Sequence, residues 1–240
     1  MIPKIIHYCW FGGNPLPISA QKCIDSWKKY FPDYEIIEWN EQNFDVNKIL
    51  YTKQAYEAKK YAFVSDYARF DIIYNHGGLY FDTDVEVIKS FDDILKRGSF
   101  MGCETDSDTE ITINPGLGIG AEKGLDLYKD ILKAYDNFHF LNDDGTYNTT
   151  TIVRYTTDIL TEKGLKNISG IQNIEGVTIY PKEYFNPLDD LTGKLVKTEN
   201  THSIHWYSKT WLSKGEIFRS KITRPFHRIF GKDCFRWLKK

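Results

Sequence analysis

The apolar positions of this chain change their period several times, and the changes mark an alternation of strand and helix. Residues 4–11 are a compact apolar run closed by Gly12-Gly13-Asn14-Pro15, which predicts a buried strand followed by a loop. Cys23, Ile24, Trp27 and Tyr30 then recur at helical spacing within residues 19–30, and residues 34–39 return to a strand pattern. This opening predicts a βαβ unit with a parallel sheet. Residues 54–75 read as one long helix. Phe63, Tyr67, Phe70 and Tyr74 form one stripe on it, and Ala62, Asp66, Arg69 and Ile73 another. His76-Gly77-Gly78 ends the helix, because glycine tolerates the left-handed cap. Residues 79–88 read as the next strand. Residues 100–104 and 112–121 read as strands around an Asp-rich loop at 105–109. Residues 124–137 and 146–164 read as helices, and 177–181 and 202–206 as short late strands. The class is α/β. No repeat or linker interrupts the pattern, so residues 1–215 are expected to form one catalytic domain and 216–240 a basic aromatic tail.

Composition adds a few constraints. Hydrophobic residues make up 41% and aromatics 15%, enough for a core, with packing the default use of most rings. The net charge of -2 gives no sign of a nucleic-acid partner. The four cysteines, Cys9, Cys23, Cys103 and Cys234, have no CxxC spacing and read as free thiols of a reducing compartment. The segment Met1-Ile2-Pro3-Lys4-Ile5-Ile6-His7 reads as too short and too polar for a signal peptide. No apolar run approaches the roughly 18 residues of a spanning helix. The expectation is a cytoplasmic protein, peripheral on the inner face of the membrane if the tail docks there.

The chemistry concentrates in Ser65-Asp66-Tyr67-Ala68-Arg69 and in His76-Gly77-Gly78-Leu79-Tyr80-Phe81-Asp82-Thr83-Asp84. On a strand, Tyr80, Asp82, Asp84 and Glu86 would share one face, and Phe81, Thr83, Val85 and Val87 the core face. Two carboxylates at i and i+2 can share one Mn²⁺ or Mg²⁺ whose remaining positions go to phosphate oxygens and water. Such an ion neutralises charge building on a leaving diphosphate. A bare Asp-x-Asp is common at exposed strand ends; the Gly-Gly-x-Tyr approach and the Asp/Arg helix favour the catalytic reading here. Glu86 reads as a solvated strand residue. Asp66 and Arg69 lie three apart on one helix face. They form either a surface ion pair of little worth or a site in which Asp66 accepts sugar hydroxyls and Arg69 holds diphosphate or sugar oxygens.

With these residues, Ile5-Ile6-His7-Tyr8-Cys9-Trp10-Phe11-Gly12-Gly13, Ser65-Asp66-x-x-Arg69, Gly77-Gly78-x-Tyr80-x-Asp82-x-Asp84 and the closing His205-Trp206 and Thr210-Trp211 together resemble the DXD-containing sugar transferases of the initiation-specific α-1,6-mannosyltransferase type. That group includes bacterial capsular-polysaccharide and lipopolysaccharide glycosyltransferases and, distantly, the clostridial glucosylating toxins. The resemblance covers roughly residues 2–125 and 202–212. It implies a GT-A fold, a Rossmann-like mixed sheet flanked by helices, with a nucleotide-sugar donor and retention of anomeric configuration. It implies that Trp10 stacks on the base, although a core aromatic is the plainer use of that position. It further implies that Asp66 and Arg69 contact donor ribose or sugar and diphosphate, and that Tyr80 lies near the diphosphate. His205 is the inferred third metal ligand beside Asp82 and Asp84, against the alternative of a satisfied strand-end histidine. Thr210 replaces the family's serine, and Trp211 is the expected lid. His202 and Ser208 offer alternative registers. Asn114 opens a family-like segment, Asn114-Pro115-Gly116-Leu117-Gly118-Ile119-Gly120, and is expected to orient donor or acceptor hydroxyls. Its glycine spacing lacks the context of a dinucleotide fingerprint.

The expected reaction moves a hexose from a nucleotide sugar, UDP-galactose or UDP-glucose ahead of guanosine donors, to an oligosaccharide or lipid-linked glycan acceptor of cell-surface polysaccharide. Asp82, Asp84, Arg69 and Asn114 are the expected catalytic set. Competing readings are a protein-glycosylating transferase, a metal-dependent phosphohydrolase, disfavoured because a full βαβ unit precedes Asp82, and a silent nucleotide-sugar binder. The tail interleaves Phe218, Ile222, Phe226, Phe230 and Trp237 with Arg219, Lys221, Arg224, Arg228 and Arg236. It suits an anionic membrane interface, or equally a helix packed on the domain with a solvated basic face.

Overall fold

The computed structural model describes residues 1–208, 215, 223–228 and 234. The chain opens with the expected unit: strand β1 (Ile5–Cys9), helix α1 (Ile18–Tyr30) and strand β2 (Glu35–Trp39), with β1 and β2 parallel from Ile5 opposite Glu35 to Cys9 opposite Trp39. The apolar stripe of α1 buries Cys23, Ile24 and Trp27, and the Trp27 indole donates to the Val85 carbonyl at 2.8 Å.

Two helices stand where one was expected. Helix α2 (Leu50–Glu57) and helix α3 (Tyr61–His76) are separated at Lys59, which takes φ 57°, while the Lys60 N–H donates back to the Ala55 carbonyl. Helix α3 is buried along most of its circumference, with Asp66 and Arg69 inside as well as Val64, Ala68, Phe70 and Ile73. It ends at Gly77, φ 68°, and leads into strand β3 (Gly78–Tyr80), parallel to β1. Glycine is required at Gly78, where φ is 102° and a Cβ would lie 2.7 Å from the Ile5 carbonyl.

Residues 79–88 are likewise divided. The chain leaves the large sheet after Tyr80, turns through residues 81–84 with the Val85 N–H on the Asp82 carbonyl, and starts strand β4 (Val85–Val87). Asp82 and Asp84 therefore sit in a turn and not on one face of a continuous strand. Helix α4 (Asp92–Leu95) and strand β5 (Phe100–Ser107) follow. The expected Asp-rich loop is the tip of a hairpin between β5 and strand β6 (Glu110–Ile113). The expected strand at 112–121 is β6, a 3-10 turn Pro115–Leu117 and strand β7 (Ile119–Ala121). Then come helices α5 (Asp126–Ala134) and α6 (Ile152–Glu162), strands β8 (Gln172–Ile174) and β9 (Val177–Tyr180), helix α7 (Lys182–Phe185) and strand β10 (Ser203–His205).

The eight-stranded sheet has the order β2-β1-β3-β7-β5-β9-β8, with β6 added on β5. Strands β1, β2, β3, β5 and β9 run one way and β6, β7 and β8 the other, so the sheet is mixed. One apolar cluster gathers Trp27, Phe81, Phe91, Phe100 and Phe185, and a second gathers Phe63, Tyr67, Phe70, Tyr128 and Phe140. Strand β10 pairs antiparallel with β4 in a separate two-stranded ribbon. Of the tail, Phe226, Arg228 and their neighbours at 223–228 are helical, and Arg224 donates to the Asp190 carbonyl and carboxylate, each at 3.0 Å. Phe218, Arg219, Lys221, Ile222, Phe230, Arg236 and Trp237 lie outside the described residues.

His7 is a consequence of this packing that stability can report. It is fully buried, its Nε2–H faces the Gly77 carbonyl at 3.0 Å, and its Nδ1 accepts from the Trp39 indole at 3.0 Å. Burial pushes its pKa down to about 4. Between the ordinary value of 6.5 and about 4, the unfolded chain binds a proton that the folded chain does not. The stability that His7 supports is thus complete above the unfolded value and lost as pH falls, by about 3 kcal/mol. Urea unfolding from pH 6.5 to 4 is expected to show a flatter decline for His7→Gln than for the wild type; parallel curves would contradict this account.

Candidate active site

Three segments converge beyond the carboxyl ends of β1 and β3, the edge at which open α/β sheets bind ligands. The first is α3, which carries Asp66 and Arg69. Arg69 is 4% exposed, and its Nη2 lies 3.0 Å from Asp66 Oδ1 and 3.1 Å from Asp82 Oδ1. Its guanidinium also sits over the Tyr80 ring, 5.2 Å from the centroid. The Ile152 N–H at the start of α6 adds a hydrogen bond to Asp66. Burial pushes the Asp66 pKa up to about 6; Arg69 opposes the rise and Asp82 adds to it.

The second segment is the turn after β3. Asp82 Oδ1 accepts from the Tyr80 hydroxyl at 3.0 Å, and the Asp82 N–H donates to the Gly116 carbonyl at 3.1 Å. Asp82 Oδ2 lies over Gly116, where a Cβ would come within 2.0 Å of it. Asp84 faces the third segment, the ribbon strand β10 and the residues after it. Its Oδ1 is 3.1 Å from His205 Nε2, and its Oδ2 accepts from the Ser208 N–H at 2.7 Å and the Ser208 hydroxyl at 2.9 Å. Burial raises the Asp84 pKa, but His205 and Ser208 outweigh it and hold the carboxyl well below its usual range. For His205, burial opposes the charge, yet Asp84 holds the imidazole above its ordinary value.

Asp82, Asp84 and His205 each offer one ligand atom, and these atoms all lie within 4.8 Å of one another. The donor set fits a divalent cation. Two carboxylates and an imidazole suit Mn²⁺ better than the harder Mg²⁺. The hollow left by the absent Gly116 side chain gives Asp82 Oδ2 its room, and His205 Nδ1 is buried with no hydrogen-bond partner among the described residues.

The structure brings Asp66, Arg69, Tyr80, Asp82, Asp84 and His205 into one cluster. Among the two histidine registers it separates His202, whose Nε2 lies 2.9 Å from Asp93 and whose Nδ1 faces the Asn200 carbonyl, away from the cluster. Trp10 follows β1, half-buried, with its indole donating to the Asn14 carbonyl at 2.6 Å and its body packed against the aromatic core. Asn114 engages both amide atoms internally: Oδ1 accepts from the Gly116 N–H at 2.7 Å and Nδ2 donates one hydrogen to Glu104 Oε2 at 2.8 Å. Thr210 and Trp211 lie outside the described residues. Glu86, expected in solvent, accepts from the Trp206 indole at 2.8 Å. Ser208 and Gly116 belong to the cluster although neither was read as a site residue. Ser208 entered only as an alternative register and Gly116 only as part of a glycine-rich run. Glu104, Asn186 and Tyr207 surround it with no sequence signal, being single residues on separate elements.

Two substitutions test this geometry. Gly116→Ala pushes a methyl into Asp82 Oδ2, the movable end of a side chain, so it is expected to weaken Mn²⁺ affinity by about 10- to 100-fold while the melting temperature stays near wild type. Unchanged affinity by titration calorimetry would show that Asp82 is not held by this hollow. Arg69→Met strands two carboxylates and is expected to cost about 3–5 kcal/mol in urea unfolding, partly recovered by adding Asp66→Asn.

Residues 17–101 match the family model described as "Glycosyltransferase sugar-binding region containing DXD motif", a segment that includes Asp66, Arg69, Tyr80, Asp82 and Asp84. The chain is similar to inositol phosphoceramide mannosyltransferase 3 of Schizosaccharomyces pombe, 29% identical over 147 residues, covering 58% of this chain and 40% of that protein. It therefore spans well under half the length of that relative. It is also similar to the uncharacterized glycosyltransferase L373 of Acanthamoeba polyphaga mimivirus, 28% identical over 197 residues, covering 78% of this chain and 76% of the other. Among solved structures, PaToxG glycosyltransferase shares the fold with a TM-score of 0.52 at 19% identity, over 68% of this chain and 70% of that one. Residues 17–101 are thus similar to the DXD-motif glycosyltransferase family, and the mixed α/β sheet on which they are set is similar to that of GT-A glycosyltransferase structures.

Proposed function

We propose that the protein is a metal-dependent glycosyltransferase that moves a hexose from a UDP-linked sugar to a glycan acceptor in cell-surface polysaccharide synthesis. The observation that carries this reading is the convergence of Asp82, Asp84 and His205 within 4.8 Å beside the buried Arg69, inside the segment that matches the family. Asp82, Asp84 and His205 would hold Mn²⁺ or Mg²⁺, which when bound supplies positive charge against the leaving diphosphate. Arg69 and Tyr80 fix the Asp82 carboxylate from behind, so its free oxygen is oriented before any ligand arrives. Ser208 does the same for Asp84. Trp10 and the Gly12-Gly13 loop follow β1 at the same sheet edge, which supports a place for the nucleobase there. Thr210 and Trp211 complete the reading as the lid that excludes water, and retention is the stereochemical course.

A lipid-linked acceptor is supported by the name of one relative, which couples a mannosyltransferase to inositol phosphoceramide. Among the described residues, no helix is long and apolar enough to cross a membrane. A peripheral place at the cytoplasmic face would rest on the basic tail. The test is diphosphate release from a panel of UDP- and GDP-sugars, mannose included, with Mn²⁺ or with chelator. Release from one donor, lost with chelator and at least about 100-fold slower in Asp84→Ala, is expected. If no donor is cleaved and no nucleotide binds with Mn²⁺, the transferase reading fails.

A further inference from the structure

Between α7 and β10 the chain makes a loop, residues 186–202, that is anchored at both ends beside the cluster. At its start the fully buried Asn186 donates through Nδ2 to the Tyr207 hydroxyl at 2.6 Å and to the Glu104 carbonyl at 3.2 Å. The Tyr207 ring lies 4.3 Å from that of His205. At its end the loop runs into β10, which carries His205. Main-chain hydrogen bonds fix its middle. The Gly193 N–H donates to the Asp189 carbonyl at 2.7 Å, the Asp189 N–H to the Lys194 carbonyl at 2.9 Å and the Val196 N–H to the Pro187 carbonyl at 3.0 Å, and Leu188 bridges to Leu195.

The loop so held turns apolar side chains outward and acids inward. Leu188 is buried, but Leu191 is 38% exposed, Leu195 38% and Val196 51%. A single exposed leucine is ordinary; here three apolar side chains cluster, and the run Lys194-Leu195-Val196-Lys197 sets a cation on each side of the outermost two. Asp189 Oδ1 accepts from the Thr192 N–H and hydroxyl, each at 2.8 Å, and Asp190 accepts from Arg224 at 3.0 Å. Glu183 of α7 accepts from the Thr198 hydroxyl at 2.8 Å and the Asn200 amide at 2.9 Å. Lys194 and Lys197 are exposed and make no ion pair among the described residues. Glu199 is an exposed acid at the margin, and its carbonyl accepts from the exposed Lys89 ammonium at 2.8 Å, which adds a cation there. The Arg224 contact also sets the helical residues 223–228 beside the loop, with Phe226 and Arg228 exposed.

We propose that this loop is a docking surface for an anionic lipid bilayer. Leu191, Leu195 and Val196 enter the headgroup boundary, and Lys194 and Lys197 meet the lipid charges. The assignment rests on the peripheral-membrane reading above and places the contact on the body of the domain as well as on the tail. A bilayer fits this surface better than a second copy of the chain does. A twofold contact through the loop would set lysine against lysine, and three apolar side chains fall far short of the roughly 20–30 residues a side of a standard protein interface. The loop starts at the residue that holds Tyr207 and ends in the strand that carries His205. Docking through it therefore brings the cluster to the bilayer on which a lipid-linked acceptor would lie.

The test is co-sedimentation of the full chain with vesicles of phosphatidylcholine alone and of phosphatidylcholine mixed with phosphatidylglycerol, at low and high salt. Wild type is compared with Leu195→Ser/Val196→Ser and with Lys194→Gln/Lys197→Gln. The wild type is expected to bind the anionic vesicles and to be released by salt. The apolar double variant lowers the partition coefficient by about 10-fold and the lysine double variant by about 10- to 30-fold. All four side chains are exposed, so both variants keep the wild-type melting temperature. Wild-type binding by either double variant overturns the loop assignment and leaves the tail as the contact. Equal binding to both kinds of vesicle overturns it too, because the lysines would then have no lipid charge to meet. A wild type that elutes as a dimer while the variants elute as monomers shows a contact between copies and likewise overturns it. A wild type that binds no vesicle removes the peripheral-membrane reading together with the loop. Donor cleavage in solution tests the transferase reading separately, and none of these results bears on it.

Discussion

The interaction on which the rest depends is the buried guanidinium of Arg69. It stands between Asp66 on its own helix and Asp82 on the following turn, one cation against two carboxylates with little solvent to screen them. Burying such charges costs several kcal/mol per ion, and the cost is met only where geometry is good and every lone pair has a donor. Arginine is the residue that can do this, because it stays charged at any working pH and presents several donors in one plane. Burial raises the Asp66 pKa to about 6, with Arg69 opposing the rise and the Asp82 charge adding to it. Tyr80 shares the work by donating to the Asp82 oxygen that Arg69 holds. What remains is one oxygen of Asp82, Oδ2, directed over Gly116 and free for a ligand.

Asp82 and Asp84 lie between two sheets. Tyr80 closes a strand of the large sheet and Val85 opens a strand of the ribbon, so the two aspartates lie in the passage between them. Asp82 is tied to groups of the first body: Arg69, Tyr80 and Gly116. Asp84 is tied to groups of the second: His205, Ser208 and the Trp206 N–H on its carbonyl. The site is a seam, and a divalent ion taken by both aspartates would join a ribbon from the end of the described chain to the sheet that begins it. This explains why residues more than a hundred positions apart contribute to one cluster.

The parts legible in the sequence were those with local periodicity or a dense motif. The βαβ opening, the cap at Gly77 and the pairing of Asp66 with Arg69 on one face all follow from spacing within a few residues. The split of residues 54–75 was not legible, because Lys59 is an ordinary helix former and only tertiary packing places it at φ 57°. Alternation along residues 79–88 suggested a single strand. It missed the turn because an Asp-x-Asp in a strand and in a tight turn look alike without knowledge of partners, and the partner of β4 is β10, far along the chain. Glu104, Asn186 and Tyr207 were invisible for the same reason: hydrogen bonds between single residues on separate elements leave no spacing to detect.

Charge then links the two halves of the seam. Around the passage stand three carboxylates, Asp66, Asp82 and Asp84, with Arg69 the fixed cation and His205 charged only while it pairs with Asp84. When His205 gives up its proton to become a ligand, the cluster carries an excess of two negative charges, the complement of one divalent cation. A purely structural salt-bridge network would gain nothing from that mismatch, since unpaired buried charge is destabilising. A surplus held in place by Arg69, Tyr80 and Ser208, with no lysine among the cluster's contacts in the described residues, suits a cation that arrives from outside. The hydrogen bonds through Asn114, Glu104 and Asn186 then tie the groups around Asp82 to Tyr207 beside His205, and so link the two sides of the seam.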